Sequence, residues 1–156
     1  MKLVLSLLLL AAPALLADEP EPVKWTVLSA PREARPGQVF RVTLLARITE
    51  GWHLYSMQRK PGGPEPTTLT LPTPQWFRLA GAVEPPTGIT TYDERFEMEV
   101  ETYIGEAEFI IPVEVPRDAK PGAWKLKIAA RFQVCDNHEA LPARTVAFER
   151  DIRILE

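Results

Sequence analysis

One thiol and two imidazoles are the side chains of this chain best suited to nucleophilic, redox or soft-metal chemistry: Cys135, His138 three residues on, and His53 far upstream. A single cysteine cannot close a disulfide within the chain, and it excludes a structural zinc site built on several thiolates. Cys135, His53 and His138 form part of a cupredoxin-like copper set, which needs two histidines, one cysteine and usually a methionine. No methionine follows His138, however, and Met57 is an unusual place for an axial ligand. A Cys–His acyl-transfer pair is the enzymatic alternative, but no oxyanion loop or orienting third group accompanies Cys135 and His138. A reactive thiol needs positive neighbours to depress its pKa. Arg131 and His138 are candidates, whereas Asp136 and Glu139 oppose them. Glu97, Glu99 and Glu101 alternate along one face, as a solvated surface does. No Gly-rich phosphate loop or metal-spaced cluster appears, so no cofactor and no metal is expected.

The elements that must hold these residues have a period of two. Phe40, Val42, Leu44, Ala46 and Ile48 share one parity, as do Phe96, Met98 and Val100. So do Phe109, Ile111, Val113 and Val115, then Trp124, Leu126, Ile128, Ala130, Phe132 and Val134. Val146, Phe148, Ile152 and Ile154 form the last such face, with Arg150 breaking it. Side chains of a strand point alternately to opposite faces, so each run predicts a strand with one buried side. Shorter candidates are Lys24–Ser29, Trp52–Ser56, Thr67–Leu71 and Trp76–Leu79. Pro/Gly turns separate them at Arg35-Pro36-Gly37, Pro61-Gly62-Gly63-Pro64, Glu84-Pro85-Pro86-Thr87-Gly88 and Lys120-Pro121-Gly122. No helical period is sustained. Seven to nine short antiparallel strands are best closed as an immunoglobulin-like β-sandwich, with a closed barrel as the alternative. On parity Cys135 follows Lys125, Lys127, Arg131 and Gln133 on the polar side, so the thiol is expected to point away from the core. The competing expectation is a buried free cysteine acting as a small hydrophobe. Trp25, Trp52, Trp76 and Trp124 either line a ligand groove or fill the core.

The chain has 156 residues, with 18 Lys+Arg against 21 Asp+Glu and 46% hydrophobic residues. Such a composition fits one globular domain and gives no reason to expect nucleic acid or an anionic membrane as partner. Met1 to Ala17 reads as a signal peptide: a positive n-region at Lys2, an apolar stretch from Leu3, and small residues before Asp18-Glu19. The uncharged stretch is too short for the ~20 residues that span a bilayer, and nothing after Asp18 is apolar for long enough. Residues 18–156 are then the single mature domain, periplasmic or secreted, with no transmembrane segment after cleavage.

The order of motifs resembles one family. Pro36-Gly37-Gln38-Val39-Phe40 precedes Gly51-Trp52-His53-Leu54-Tyr55-Ser56. Tyr92-Asp93-Glu94-Arg95-Phe96 and Tyr103-Ile104-Gly105 follow, then Phe132-Gln133-Val134-Cys135-Asp136 and Leu141-Pro142. Over roughly Pro36 to Ile152 this succession resembles the N-terminal domain of the thiol:disulfide interchange protein DsbD, the disulfide bond corrector domain family. The resemblance implies an immunoglobulin-like periplasmic domain that takes electrons from a thioredoxin-like partner and passes them to disulfide isomerases. It also implies that Tyr92, Asp93, Glu94 and Phe96 belong to a cap loop over the redox site, with Phe96 or Tyr92 as the shield. Asp93 and Glu94 would assist proton movement. The bland reading of Phe96 is that it begins the buried face shared with Met98 and Val100.

The family's reactive pair is two cysteines a few residues apart. The first falls on Cys135, but the second falls on Ala140. In thiol–disulfide exchange a thiolate attacks a disulfide, and a second thiol resolves the mixed disulfide. Cys135 alone forms the mixed disulfide without turning it over. The expected role is therefore docking on a redox partner, with a monothiol relay resolved by an external thiol as the alternative. The membrane segments and second thioredoxin-like domain of full-length relatives are not legible in this chain, so a stand-alone version is expected.

Overall fold

A computed structural model describes residues 21–156; the proposed signal peptide lies outside the described residues. Twelve strands follow in order: β1 (Val23–Ser29), β2 (Glu33–Ala34), β3 (Val39–Ile48), β4 (His53–Tyr55), β5 (Thr68–Thr70), β6 (Arg78–Leu79), β7 (Ile89–Asp93), β8 (Met98–Tyr103), β9 (Glu106–Glu114), β10 (Gly122–Phe132), β11 (Val134–Cys135) and β12 (Arg144–Ile154). No helix occurs among the described residues, and so none is long and apolar enough to cross a membrane. The strands form three sheets, β1-β3-β9-β6, β2-β12-β10-β5 and β11-β4-β8-β7. β11 resumes one residue after β10 ends, and the Tyr55 N–H donates to the Gln133 carbonyl at 3.2 Å across that gap. The second and third sheets therefore follow one another along a single chain path. The architecture is the immunoglobulin-like sandwich that the alternation predicts.

Alternation explains the core. Along β3 the side chains of Val42, Leu44 and Ala46 are fully buried, and along β9 those of Phe109, Ile111 and Val113. Leu126, Ile128, Ala130 and Phe132 of β10 meet them from the opposite sheet in one cluster. Trp25 stacks into it at 5.6 Å from Phe109 and 5.3 Å from Phe132. Burying a large apolar side chain in this way contributes about 1.5–3 kcal/mol each. Arg150, which interrupts the apolar face of β12, donates instead to the Val27 carbonyl at 3.1 Å. That carbonyl lies at the bulge between Val27 and Ser29, where the β1–β3 register slips and a backbone acceptor is freed.

The structure differs from the sequence expectation in four places. β8 begins at Met98 rather than Phe96, because residues 94–97 form the turn between β7 and β8. β7 itself was not expected: Ile89 to Tyr92 are exposed throughout and so show no buried parity. β2 lies parallel to β12 and is only two residues long, too short for any period to register. Trp124 opens the buried face of β10 but is 36% exposed at the rim of the sandwich.

Candidate functional site

The local sequence from Val134 to Leu141 folds into a tight hairpin. Asp136 Oδ1 accepts the backbone N–H groups of His138 and Glu139, both at 2.7 Å, which closes an Asx turn. The Asp136 N–H donates to the Glu139 carbonyl and the Leu141 N–H to the Val134 carbonyl, each at 2.9 Å. These two bonds bracket Cys135 and Ala140, which face each other in an antiparallel bridge. That is the non-hydrogen-bonded position, where Cα atoms sit about 4.5 Å apart. Two sulfurs placed there would be within disulfide reach, about 4.4–6.8 Å between Cα atoms.

Neighbouring strands supply the rest of the site. Cys135 pairs with His53 on β4, and Tyr55 of the same parity pairs with Thr102 on β8. Val134, Leu54 and Tyr103 turn into the main core, whereas Cys135, Tyr55 and Val100 form a second, smaller cluster. Parity therefore does aim the thiol away from the main core, but the thiol is not exposed: Cys135 is only 6% accessible. The reason is the β7–β8 hairpin tip. Phe96, Met98 and Ala140 pack around the second cluster, and the Phe96 ring meets the Tyr55 ring edge-on at 6.0 Å. Glu97 takes a left-handed φ of 52°, a conformation non-glycine residues seldom adopt, and so turns the chain back into β8.

A polar network locks this roof down. The Tyr55 hydroxyl donates to Asp93 Oδ2 at 2.7 Å, and the Arg95 N–H donates to Asp93 Oδ1 at 2.9 Å. Arg95 also reaches across to the hairpin, where its guanidinium donates to the Asp136 carbonyl at 2.7 Å. Asp93 is buried, and a buried carboxylate without partners costs several kcal/mol, so these bonds are what makes its position tolerable. Burial pushes the Cys135 thiol above its ordinary range. The neighbouring Tyr55 hydroxyl and Arg95 oppose that rise, while Asp93 and Asp136 add to it. Burial likewise raises the Tyr55 phenol. Because the Tyr55 proton is committed to Asp93, a thiolate at Cys135 gains a donor only by breaking that bond. With the roof closed, Cys135 is a protonated thiol at neutral pH and a weak nucleophile.

Beside the roof a groove of about 580 Å³ opens, lined among others by Cys135, His53, His138, Asp93, Glu94 and Tyr92. The structure thus brings together most of the site residues expected from sequence, with corrections. Tyr92 and Asp93 end strand β7 rather than lying in the loop, and Tyr92 is 63% exposed, so it is Phe96 and not Tyr92 that packs on the thiol cluster. Glu94 is exposed in the turn. Arg131 pairs with Glu65 at 3.8 Å and does not line the groove. Sequence reasoning gave no role to Tyr55 or Arg95. Tyr55 was discoverable because Leu54 and Tyr55 are adjacent large residues, which places one on each face of a strand buried on both sides. The copper set does not assemble: Met57 packs against the main core, and among the described residues no three His, Cys, Asp or Glu side chains are grouped to hold a metal ion.

The site is thus a single thiol buried beneath a hairpin cap on an immunoglobulin-like sandwich. The family model for the N-terminal region of the thiol:disulfide interchange protein DsbD matches residues 26–142. The chain belongs to that family. The reduced N-terminal domain of Neisseria meningitidis DsbD superposes with a TM-score of 0.53 at 17% identity, covering 85% of this chain and 90% of that one. A family 123 glycoside hydrolase from Clostridium perfringens aligns with a TM-score of 0.42 and 13% identity over 79% of this chain and 22% of its own. No curated protein sequence matches.

Proposed function

We propose that this protein is a docking module of periplasmic disulfide reduction and isomerisation, binding thioredoxin-like or disulfide isomerase-type proteins without completing dithiol exchange by itself. Ala140 carries the reading. It faces Cys135 across the hairpin, at the position where a resolving sulfur belongs. Exchange needs a second thiol to release a mixed disulfide, and a methyl group supplies none. The roofed, protonated state of Cys135 supports the same conclusion, since attack requires thiolate. Export by the Met1–Ala17 leader would place the domain in the compartment where this chemistry operates.

The second reading is a monothiol relay. The groove lined by Cys135, His53 and His138 favours it, because an external thiol seated there lies beside the roof that covers the sulfur. Both readings meet the same experiment: calorimetric binding of a purified periplasmic thioredoxin-like domain and of a disulfide isomerase to wild type, Cys135→Ser and Ala140→Cys. Docking requires wild type and Cys135→Ser to bind alike, with turnover appearing only in Ala140→Cys. Binding that vanishes with the thiol establishes the relay instead. If neither protein binds any variant, the docking reading is wrong.

A further inference from the structure

Lys127 and Gln75 mark the start of an unfilled strand position. The Gln75 side chain imitates a paired strand: its amide donates to the Lys127 carbonyl and its oxygen accepts the Lys127 N–H, both at 3.0 Å. Beyond it, the β5 partner of β10 reaches only Ala129 to Arg131. Residues of β10 alternate in the side to which they turn their backbone groups. Lys125 and Ala123 therefore turn theirs to the same edge as Lys127, and no backbone partner meets them there among the described residues.

That open edge lies in a groove of about 710 Å³ walled by Trp76 and Trp124. The two indoles meet edge-to-face at 5.9 Å, and the Trp124 N–H is anchored on the Lys120 carbonyl at 2.8 Å. Gly122 lets the Lys120–Gly122 turn deliver Trp124 in this pose, with a φ of 141° that other residues rarely adopt. Lys125 is engaged by Glu149 and Asp151, each at 3.2 Å. Lys127 makes no ion pair among the described residues. Unpaired backbone, a rigid aromatic corner and a free ammonium converge on one place, roughly 30 Å along the strand direction from Cys135 at about 3.3 Å per residue.

We infer that this groove is a second binding site, which takes an extended peptide by strand addition to β10. Main-chain bonds to Lys125 and Ala123 supply the register, an apolar side chain fills the Trp76–Trp124 corner, and a flanking Asp or Glu meets Lys127. Such edge pairing joins generic backbone affinity to side-chain selection. The site is independent of Cys135 and of the docking reading.

Amide NMR of the full chain, titrated with the capped peptide acetyl-Glu-Val-Leu-Val-Glu-amide, tests this. The Ala123 and Lys125 amides and both corner indoles shift. The same peptide N-methylated along its backbone loses at least tenfold in affinity. K127E lowers affinity for the Glu peptide at least fivefold and reverses the preference toward its Lys-flanked counterpart, on a surface position that leaves the fold intact. Absence of shifts at Ala123 and Lys125 at millimolar peptide overturns the inference, as does equal binding of the N-methylated peptide. Binding of cellohexaose at the tryptophans without binding of the peptide also overturns it, in favour of a sugar platform.

Discussion

Cys135 shows how environment outranks residue type. Burial, before any charge, raises its pKa, so alkylation by iodoacetamide follows a pH profile whose inflection lies above that of a free thiol, about 8.5. An inflection below the free value, read by mass spectrometry across pH, would contradict the closed roof. Phe96 holds that roof through an edge-on contact with Tyr55, the kind of pair that contributes about 0.5–1.5 kcal/mol. Phe96→Ala is expected to speed alkylation of Cys135 by up to about tenfold, the kinetic equivalent of ~1.4 kcal/mol of lost closure. An unchanged rate would mean that Phe96 does not shield the sulfur. Tyr55→Phe removes the donor to a buried carboxylate, with an expected loss of about 1.5–3 kcal/mol in urea unfolding. Measurement of the two effects separates the mechanical part of the cap from its polar lock.

Two hairpins decide what the site can do as elements. The β7–β8 tip brings Asp93, Arg95 and Phe96 over the thiol, and the Val134–Leu141 hairpin sets Ala140 opposite it. Ala140→Cys is therefore expected to form an intrachain disulfide with Cys135 on mild oxidation. Loss of both free thiols in a thiol assay, with no dimer on a non-reducing gel, checks it. Asp136 closes the second hairpin. The backbone N–H groups of Glu139 and His138 hold its carboxyl below the usual carboxylate range. Its contribution is present above the unfolded-state pKa and disappears as pH falls through the lowered folded value. Much of the first hairpin was hidden from sequence. Ile89 to Tyr92 are exposed on both faces of an edge strand, so burial leaves no period in them, and the turn residues Glu94 to Glu97 carry no glycine to announce a reversal. Long strands such as β3, β9, β10 and β12 were legible because one face of each meets the core.

At the scale of the molecule, the same groups couple stability to pH. Cys135 and Tyr55 both have folded-state pKa values raised by burial. The folded chain holds those protons more tightly than the unfolded chain does. Their contribution to stability is therefore fully present below the free thiol's pKa, about 8.5, and declines as pH rises above it. Thermal unfolding between neutral and alkaline pH is expected to show this decline, reduced in Cys135→Ser. A flat profile in wild type would mean that the thiol is solvated after all. The groove at the opposite end of β10 contains none of these titrating groups, so peptide binding there and thiol chemistry at Cys135 should vary independently.

The sequence by itself determined the sandwich, the parity that turns Cys135 away from the main core, and the absence of a second cysteine. All three are local: they depend on a two-residue period or on the identity of one position. Only the tertiary structure decided that the thiol is roofed, that Tyr55 and Arg95 surround it, and that Trp76, packed against the core, meets the exposed Trp124 in a corner. The bonds responsible join residues 38 and 41 positions apart, Tyr55 to Asp93 and Arg95 to Asp136. No period along the chain encodes such a meeting, because it depends on how strands distant in sequence are brought together within the β11-β4-β8-β7 sheet.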